Sequence, residues 1–436
     1  MNAVDVAVHA PGPSVSMGVL LLAALVALGL EATGAGQGGR KRVGRLPQVV
    51  VVAVAAVVAA LLGPGPESVA VAFALVVFAL TEGPSLLGER AALALVLGAG
   101  TLKVGTTTSP AALIAWMALW AVVTAGLSMR APTTDANGVA VSGAAAGAEA
   151  EAATKAALLG VMAVLLGGLG IVVGGPGGAG CLLCAVALVL GIPPLQGIRV
   201  DIFQGAPAAA MAVSAPMALV ALGPVFSDAA LAALMADQGA VAVDVAIGLG
   251  LFGLPLVALA QVSLRRLVGV LVAQQAVLPL VAGRLGVDPL AATLAAALGA
   301  LGLAVAVAAL PVFWRATATW EDASGWGRRH PWRSGLLVFA TAQACGLPPT
   351  LGFAVRQELA RTATLDAAPW LTVALLVGVA LSAVPVVRLA LFLFAKQPRP
   401  APTTTLAVGP VLGLGVVVGI AVLAGALHPW LFPPAG

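Results

Sequence analysis

Apolar residues run along this chain in long unbroken blocks. Residues 49–62, for example, are only Val, Ala and Leu. The blocks lack the period-two alternation of a membrane β-strand, and many reach the roughly 20 residues that carry a helix across the hydrocarbon layer. Fourteen spans are predicted, over residues 16–34, 46–63, 67–81, 87–102, 110–129, 152–174, 180–195, 207–226, 239–261, 267–281, 289–313, 335–355, 370–394 and 406–427. Interruptions are expected at Pro193-Pro194, Pro207 and Pro348-Pro349, because adjacent prolines cannot both continue a regular helix. Unwound backbone at membrane depth survives only where protein or a watery cavity surrounds it.

Composition agrees with the pattern. Of 436 residues, 61% are hydrophobic and 9% charged, against about 25% charged in soluble domains. A soluble globule and a disordered chain are both excluded. The predicted fold class is an all-α polytopic membrane protein of about fourteen transmembrane helices. The first apolar run, with Asp5 and His9 before it and no Lys or Arg until Arg40, reads as a membrane span and not as a cleavable signal peptide.

Cations test the segmentation. Sixteen of the 21 Lys and Arg fall in odd-numbered loops, while only Lys103, Arg284 and Arg361 fall in even-numbered ones. By the positive-inside rule this places both chain ends outside and the basic loops in the cytoplasm, in a bacterial inner membrane. The net charge of +4 is dispersed with no compact patch, so nucleic acid is not a predicted partner. The lipid bilayer is.

Few side chains offer chemistry. Cys181, Cys184 and Cys345 lie in apolar stretches without a second ligand pair, so neither a metal site nor a disulfide framework is predicted. Asp244 reads as interfacial, and Glu82, Glu89 and Arg90 as solvated helix ends. Glu151 and Lys155 are four apart in the favourable order on one helical face, which suits either a helix start or coupling to a neighbouring subunit. Asp201 and Arg199 together are expected to fix the loop after Pro194. Trp116, Trp120, Trp370 and Trp430 suit interfacial or lipid contacts. Residues 133–150 read as a flexible loop, and residues 228–238 as either a short interfacial helix or a connector.

Four stretches resemble one family. Glu151-Ala-Ala-Thr-Lys155-Ala-Ala-Leu-Leu-Gly160 is similar to the EAALKYFLLG segment of the antiporter-like, proton-translocating membrane subunits of respiratory NADH:quinone oxidoreductase. The stretch from Pro194 through Asp201 to Gly205-Ala-Pro207 keeps the spacing of its PFHxWxPDVYxGAP segment. Leu264-Arg265-Arg266-Leu267 resembles KRLLAYSSIAH, and Gly346-Leu-Pro-Pro-Thr-Leu-Gly-Phe353 resembles GIPPTxGF. Within the family the resemblance points to subunit N. It implies a single integral membrane domain over 1–436, with peripheral N-terminal helices (1–109), a first antiporter-like repeat (110–261), a second, inverted one (262–400), each with a broken helix, and a C-terminal helix (401–436). It also implies partnership with other membrane subunits of a respiratory complex. No cofactor is expected on this chain, and NADH and quinone would be used by the assembled complex.

The family's proton relay is largely missing from the matching positions. Its fifth-span acid would fall near Leu119 or Trp120, yet no Asp or Glu occurs between Glu89 and Asp135. Its lysine before the PFH segment is Val189, its eighth-span lysine falls at Met217 or Leu219, and its two histidines are Gln196 and Gln275. The GFxxK lysine is Arg356, which keeps the charge but cannot release it. Arg356, Glu358, Gln196 and Gln275 are therefore the candidate proton-path residues, with Glu358 spaced to pair with Arg361. Glu151, Lys155, Arg199, Asp201 and Asp244 are candidates for coupling or structure. The expected function is that of an N-like subunit with weakened proton conduction and no catalytic centre of its own. The open alternatives are a standalone transporter of a neutral solute, and a membrane subunit of a related hydrogenase or cation/proton antiporter complex.

Overall fold

The computed structural model describes residues 13–34, 46–63, 65–82, 88–105, 109–129, 143–227, 240–309, 318–365, 368–395 and 408–431. Apart from an isolated bridge between Ser263 and Thr319, these residues form helices and short connections. The chain is an all-α polytopic membrane protein. Helices α1 (Pro13–Gly34), α2 (Leu46–Leu62), α3 (Pro66–Glu82), α4 (Gly88–Gly105) and α5 (Pro110–Ser128) match the first five predicted spans. Pro110 opens α5 at the position where its missing N–H costs no helical bond.

Helix α6 (Gly143–Val173) begins nine residues before its predicted span, so part of the expected flexible loop is helical. The stretch over 228–238 lies outside the described residues. Helices α7 (Gly175–Leu190) and α8 (Gln196–Gly205) are two halves of one interrupted element, followed by α9 (Ala208–Leu222) and a 3₁₀ turn, Gly223–Ser227.

Next come α10 (Ala240–Gly248), a π-helical turn over Leu249–Gly253, and α11 (Leu254–Ala260). Pro255 explains the turn, because it cannot donate to the carbonyl of Leu251. Gly378 packs against that carbonyl, where a Cβ would come within 2.9 Å of it. In the same way Pro279 separates α12 (Leu264–Gln275) from α13 (Val277–Arg284). The remaining helices are α14 (Leu290–Ala309), the single turn α15 (Trp326–Arg329), α16 (Pro331–Cys345), α17 (Leu351–Leu365), α18 (Pro369–Leu393) and α19 (Gly409–Leu431). The predicted span 335–355 is interrupted at Gly346–Thr350, where the paired prolines lead one to expect it, and its second half runs ten residues further, to Leu365.

Among the described residues, eight helical stretches are long and apolar enough to cross a membrane. The stretches over α9, α12–α13 and α14 are almost wholly buried, whereas those over α6, α10–α11, α18 and α19 expose much of their apolar surface. Burial therefore orders the bundle. Helix α14 sits at its centre, packed on α9, α16 and α19, and α8 packs on α6 and α12. Small residues permit the close approaches that hold apolar helices together in lipid. A Cβ on Gly160 of α6 would lie 1.9 Å from Ala121 Cβ of α5, and one on Gly425 of α19 would lie 2.6 Å from the carbonyl carbon of Thr350.

Candidate functional site at the two helix breaks

The two interruptions have the same local construction. Gly191 and Gly346 both adopt φ 72°, and cis bonds join Pro193-Pro194 and Pro348-Pro349. In the first break Ile192 N donates to Ala187 O at 2.8 Å and Gly191 N to Leu188 O at 3.3 Å. In the second, Leu347 N donates to Ala342 O at 2.9 Å and Gly346 N to Gln343 O at 3.1 Å. Each α7 or α16 end is therefore a Schellman-type terminus, for which glycine supplies the left-handed residue without steric penalty.

Such termini still leave helix carbonyls without a backbone donor. A buried arginine serves this need at both breaks. Arg199 of α8 is 2% exposed and donates to the Val189 carbonyl. Arg356 of α17 is 3% exposed, with Nη2 donating to Ala344 O at 2.9 Å and Nη1 to Gly352 O at 3.2 Å. Val189 and Ala344 each stand two residues before the left-handed glycine. A side chain on either glycine would strike the arginine: its Cβ would lie 2.9 Å from Arg199 Cβ, or 2.2 Å from Arg356 Nη1. Neither arginine forms an ion pair among the described residues. The helix C-termini supply partial negative charge in place of a carboxylate.

Arg199 also faces the ring of Trp120, with Cζ 5.2 Å from its centroid. The indole N–H donates to Ser214 O at 3.0 Å. Trp116 donates to Thr101 Oγ1 at 3.1 Å, and both tryptophans are at most 2% exposed. The expected interfacial role is thus corrected for both: each ring fills the core, with its polar N–H satisfied inside the bundle. Trp370 is partly exposed, and the side chain of Trp430 lies outside the described set.

A polar cluster surrounds the second break. Gln275 Nε2 donates to Ala344 O at 2.6 Å and Leu271 O at 3.1 Å, while Gln343 Oε1 accepts from Gly352 N at 3.2 Å. The neighbouring Gln274 points to α18 and donates to Ser382 Oγ at 2.7 Å. Gln196, at the start of α8, has a buried Oε1 without a protein partner among the described residues.

Asp201 does not act with Arg199 as expected. Arg199 turns into the core, and Asp201 instead accepts from Lys155 Nζ at 3.0 Å and pairs with Arg266 Nη2 at 3.2 Å. Lys155 Nζ is also 2.7 Å from Glu151 Oε1. This half-exposed network ties α6, α8 and α12 together, and the adjacent Arg265 donates to the Ala206 carbonyl. Asp244 is partly exposed and forms a two-pronged pair with Arg284, Nε to Oδ1 at 2.8 Å and Nη2 to Oδ2 at 3.3 Å. Glu358 and Arg361 form a loose exposed pair at 3.9 Å.

Glu82 and Arg90 are not solvated ends. Arg90 Nη1 is 2.9 Å from Glu82 Oε1, its Nη2 donates to Leu127 O at 2.8 Å, and both side chains are buried. The pair joins α3, α4 and α5. Arg388 was also illegible as a clamp: it donates to Leu259 O at 2.7 Å and lies 4.4 Å from the Trp320 ring centre. No local motif marks either contact, because the partners sit on different helices. Among the described residues no group of His, Cys, Asp and Glu is arranged to hold a metal.

No family profile matches the chain, and no curated protein is similar to it in sequence. Solved structures are similar in fold. A chain of respiratory complex I from Thermus thermophilus, in a structure with bound aureothin, superposes with a TM-score of 0.72 at 18% identity, covering 96% of this chain and 98% of that one. A chain of the membrane-bound sulfane sulfur reductase, an archaeal respiratory membrane complex, gives 0.71 at 16% identity over 96% and 95%. A chain of the Mrp complex from Dietzia sp. DQ12-45-1b gives 0.71 at 14% identity over 96% and 95%. The chain shares its fold with these three membrane-complex chains along essentially its whole length.

Proposed function

We propose that this chain is a membrane subunit of a multisubunit respiratory-type complex, similar to subunit N of NADH:quinone oxidoreductase, and that it serves as a scaffold with weakened proton translocation. The observation that carries the reading is the full-length fold likeness combined with what occupies the two breaks. A proton relay needs groups that gain and lose protons at membrane depth. Here the buried charged and amide side chains at the breaks are Arg199, Arg356, Gln275 and Gln343, and neither arginine nor glutamine titrates near neutral pH.

In this reading the Lys155, Asp201 and Arg266 network and the Arg388 clamp stiffen the side on which the basic loops lie. We assign that side to the cytoplasm of a bacterial inner membrane, with both chain ends outside and two inverted repeats over 110–261 and 262–400. Redox chemistry, with NADH and quinone, would belong to partner subunits. A second reading, a subunit of a related ion-transporting complex, draws on the nearly equal likeness to the sulfane sulfur reductase and Mrp chains.

Purification of the tagged chain from its native membrane tests the proposal. Stoichiometric recovery of redox subunits of an NADH dehydrogenase is the expected result. Recovery with antiporter subunits alone favours the second reading, and a lone monodisperse chain overturns both.

A further inference from the structure

The second break holds more hydrogen-bonding capacity than protein partners satisfy. Gln275 and Gln343 are at most 1% exposed. Their amides already bind the backbone of α16 and α17 at Ala344 O and Gly352 N, yet Gln275 Oε1 and Gln343 Nε2 have no protein partner among the described residues. One is an acceptor and the other a donor, a complement that water satisfies from both sides. Gly299 of α14 faces Gln275 Oε1, where a Cβ would come within 2.9 Å, so position 299 itself puts no side chain against the oxygen. Buried polar atoms left in this way are ordinarily completed by ordered water.

Arg356 stands in the same cluster, because its Nη2 and Gln275 Nε2 share the Ala344 carbonyl. Its charge is permanent and no carboxylate among the described residues neutralises it. We infer that the second break binds ordered water between Gln275 and Gln343, and that the fixed charge of Arg356 beside this water bars protons and other cations from passing. A fixed arginine in a hydrated membrane path raises the barrier to positive charge. At a separation on the order of 6 Å and an effective dielectric constant of about 20, a second positive charge is disfavoured roughly 100-fold. The inference rests on the reading of weakened proton translocation given above, and its test is separate from co-purification.

The full chain is reconstituted in vesicles containing a pH-sensitive dye, with the membrane potential clamped by potassium and valinomycin. Wild-type vesicles are expected to leak protons no faster than protein-free ones, and a clear excess overturns the barrier. Arg356→Gln is expected to raise proton flux at least ~10-fold, because the repulsion felt by an entering positive charge is removed. Adding Gln275→Leu should abolish that gain by removing the polar link, and Arg356→Lys, whose ammonium can shed its proton when buried, should raise the flux as well. Unchanged flux in a monodisperse Arg356→Gln protein overturns the barrier. Hydration is read separately from a cryo-EM map that shows ordered water elsewhere: density within hydrogen-bond reach of Gln275 Oε1 and Gln343 Nε2 supports it, and its absence overturns it. If Arg356→Gln does not fold, the wild-type leak and this map still decide.

Discussion

The ring of Trp120 lies 5.2 Å from the guanidinium carbon of Arg199, at the place in α5 where the family resemblance would put a carboxylate. A π face attracts a cation but neither exchanges a proton nor requires one. Together with the Val189 carbonyl it makes Arg199 a permanent structural charge.

Trp120→Ala is expected to destabilise the chain by ~3–5 kcal/mol, the range for removing a buried aromatic side chain. Trp120→Phe keeps a ring near Arg199 and loses the bond to Ser214 O, at a cost of about 1 kcal/mol. Thermal unfolding of the detergent-solubilised chain measures both, and equal losses would show that the ring itself contributes nothing.

Arg90→Ala removes the cation 2.9 Å from the buried Glu82 carboxylate and should cost ~3–5 kcal/mol. Replacing both residues by leucine is expected to recover most of that loss. The same unfolding assay checks the pair, and a single variant within 1 kcal/mol of wild type, on the order of a solvated surface pair, would contradict the buried clamp.

Gly346→Ala places a Cβ both at positive φ and within 2.2 Å of Arg356 Nη1. A loss of roughly 1–3 kcal/mol is expected for the backbone alone. Gly335, in open space on α16, provides the control, since alanine there should be neutral or slightly stabilising.

Lys155→Ala should change stability by no more than ~1 kcal/mol, because its two pairs are partly solvated. If Glu151 and Lys155 couple to a neighbouring subunit, the same variant loses partner subunits on purification while the isolated chain melts almost unchanged.

His330 lies in the connection between α15 and α16, its ring 5.1 Å from that of Trp326. Desolvation first, then the charges of Arg333 and Arg329, hold its pKa below the ordinary 6.5. The unfolded chain therefore binds the proton more readily. Stability from this group is present above the unfolded value and is lost as pH falls through the lowered one. His330→Asn should flatten that part of the acid loss, as read from unfolding at stepped pH, and an unchanged profile would refute the assignment.

Helix positions were legible because uninterrupted apolar blocks leave little else for the backbone to do in lipid. The breaks were legible from paired prolines. What the arginines and tryptophans do was not. Arg199 looks like a loop cation beside Asp201, and only the packing of α8 on α6 and α12 sends one inward and the other to Lys155 and Arg266. Arg90 sits one residue from Glu89 and pairs with Glu82, a choice fixed by the meeting of α3 and α4, which no single-helix pattern encodes.

Arg199 follows Pro194 by five residues, and Arg356 follows Pro349 by seven. Both nevertheless reach the carbonyl two residues before the glycine. The two halves of the chain are thus equivalent in what is capped and not in which residue caps it, so a residue-by-residue alignment of the halves would score this shared feature as a mismatch. Comparisons among distant chains of this fold gain from matching the acceptor carbonyl first and then asking which side chain arrives there.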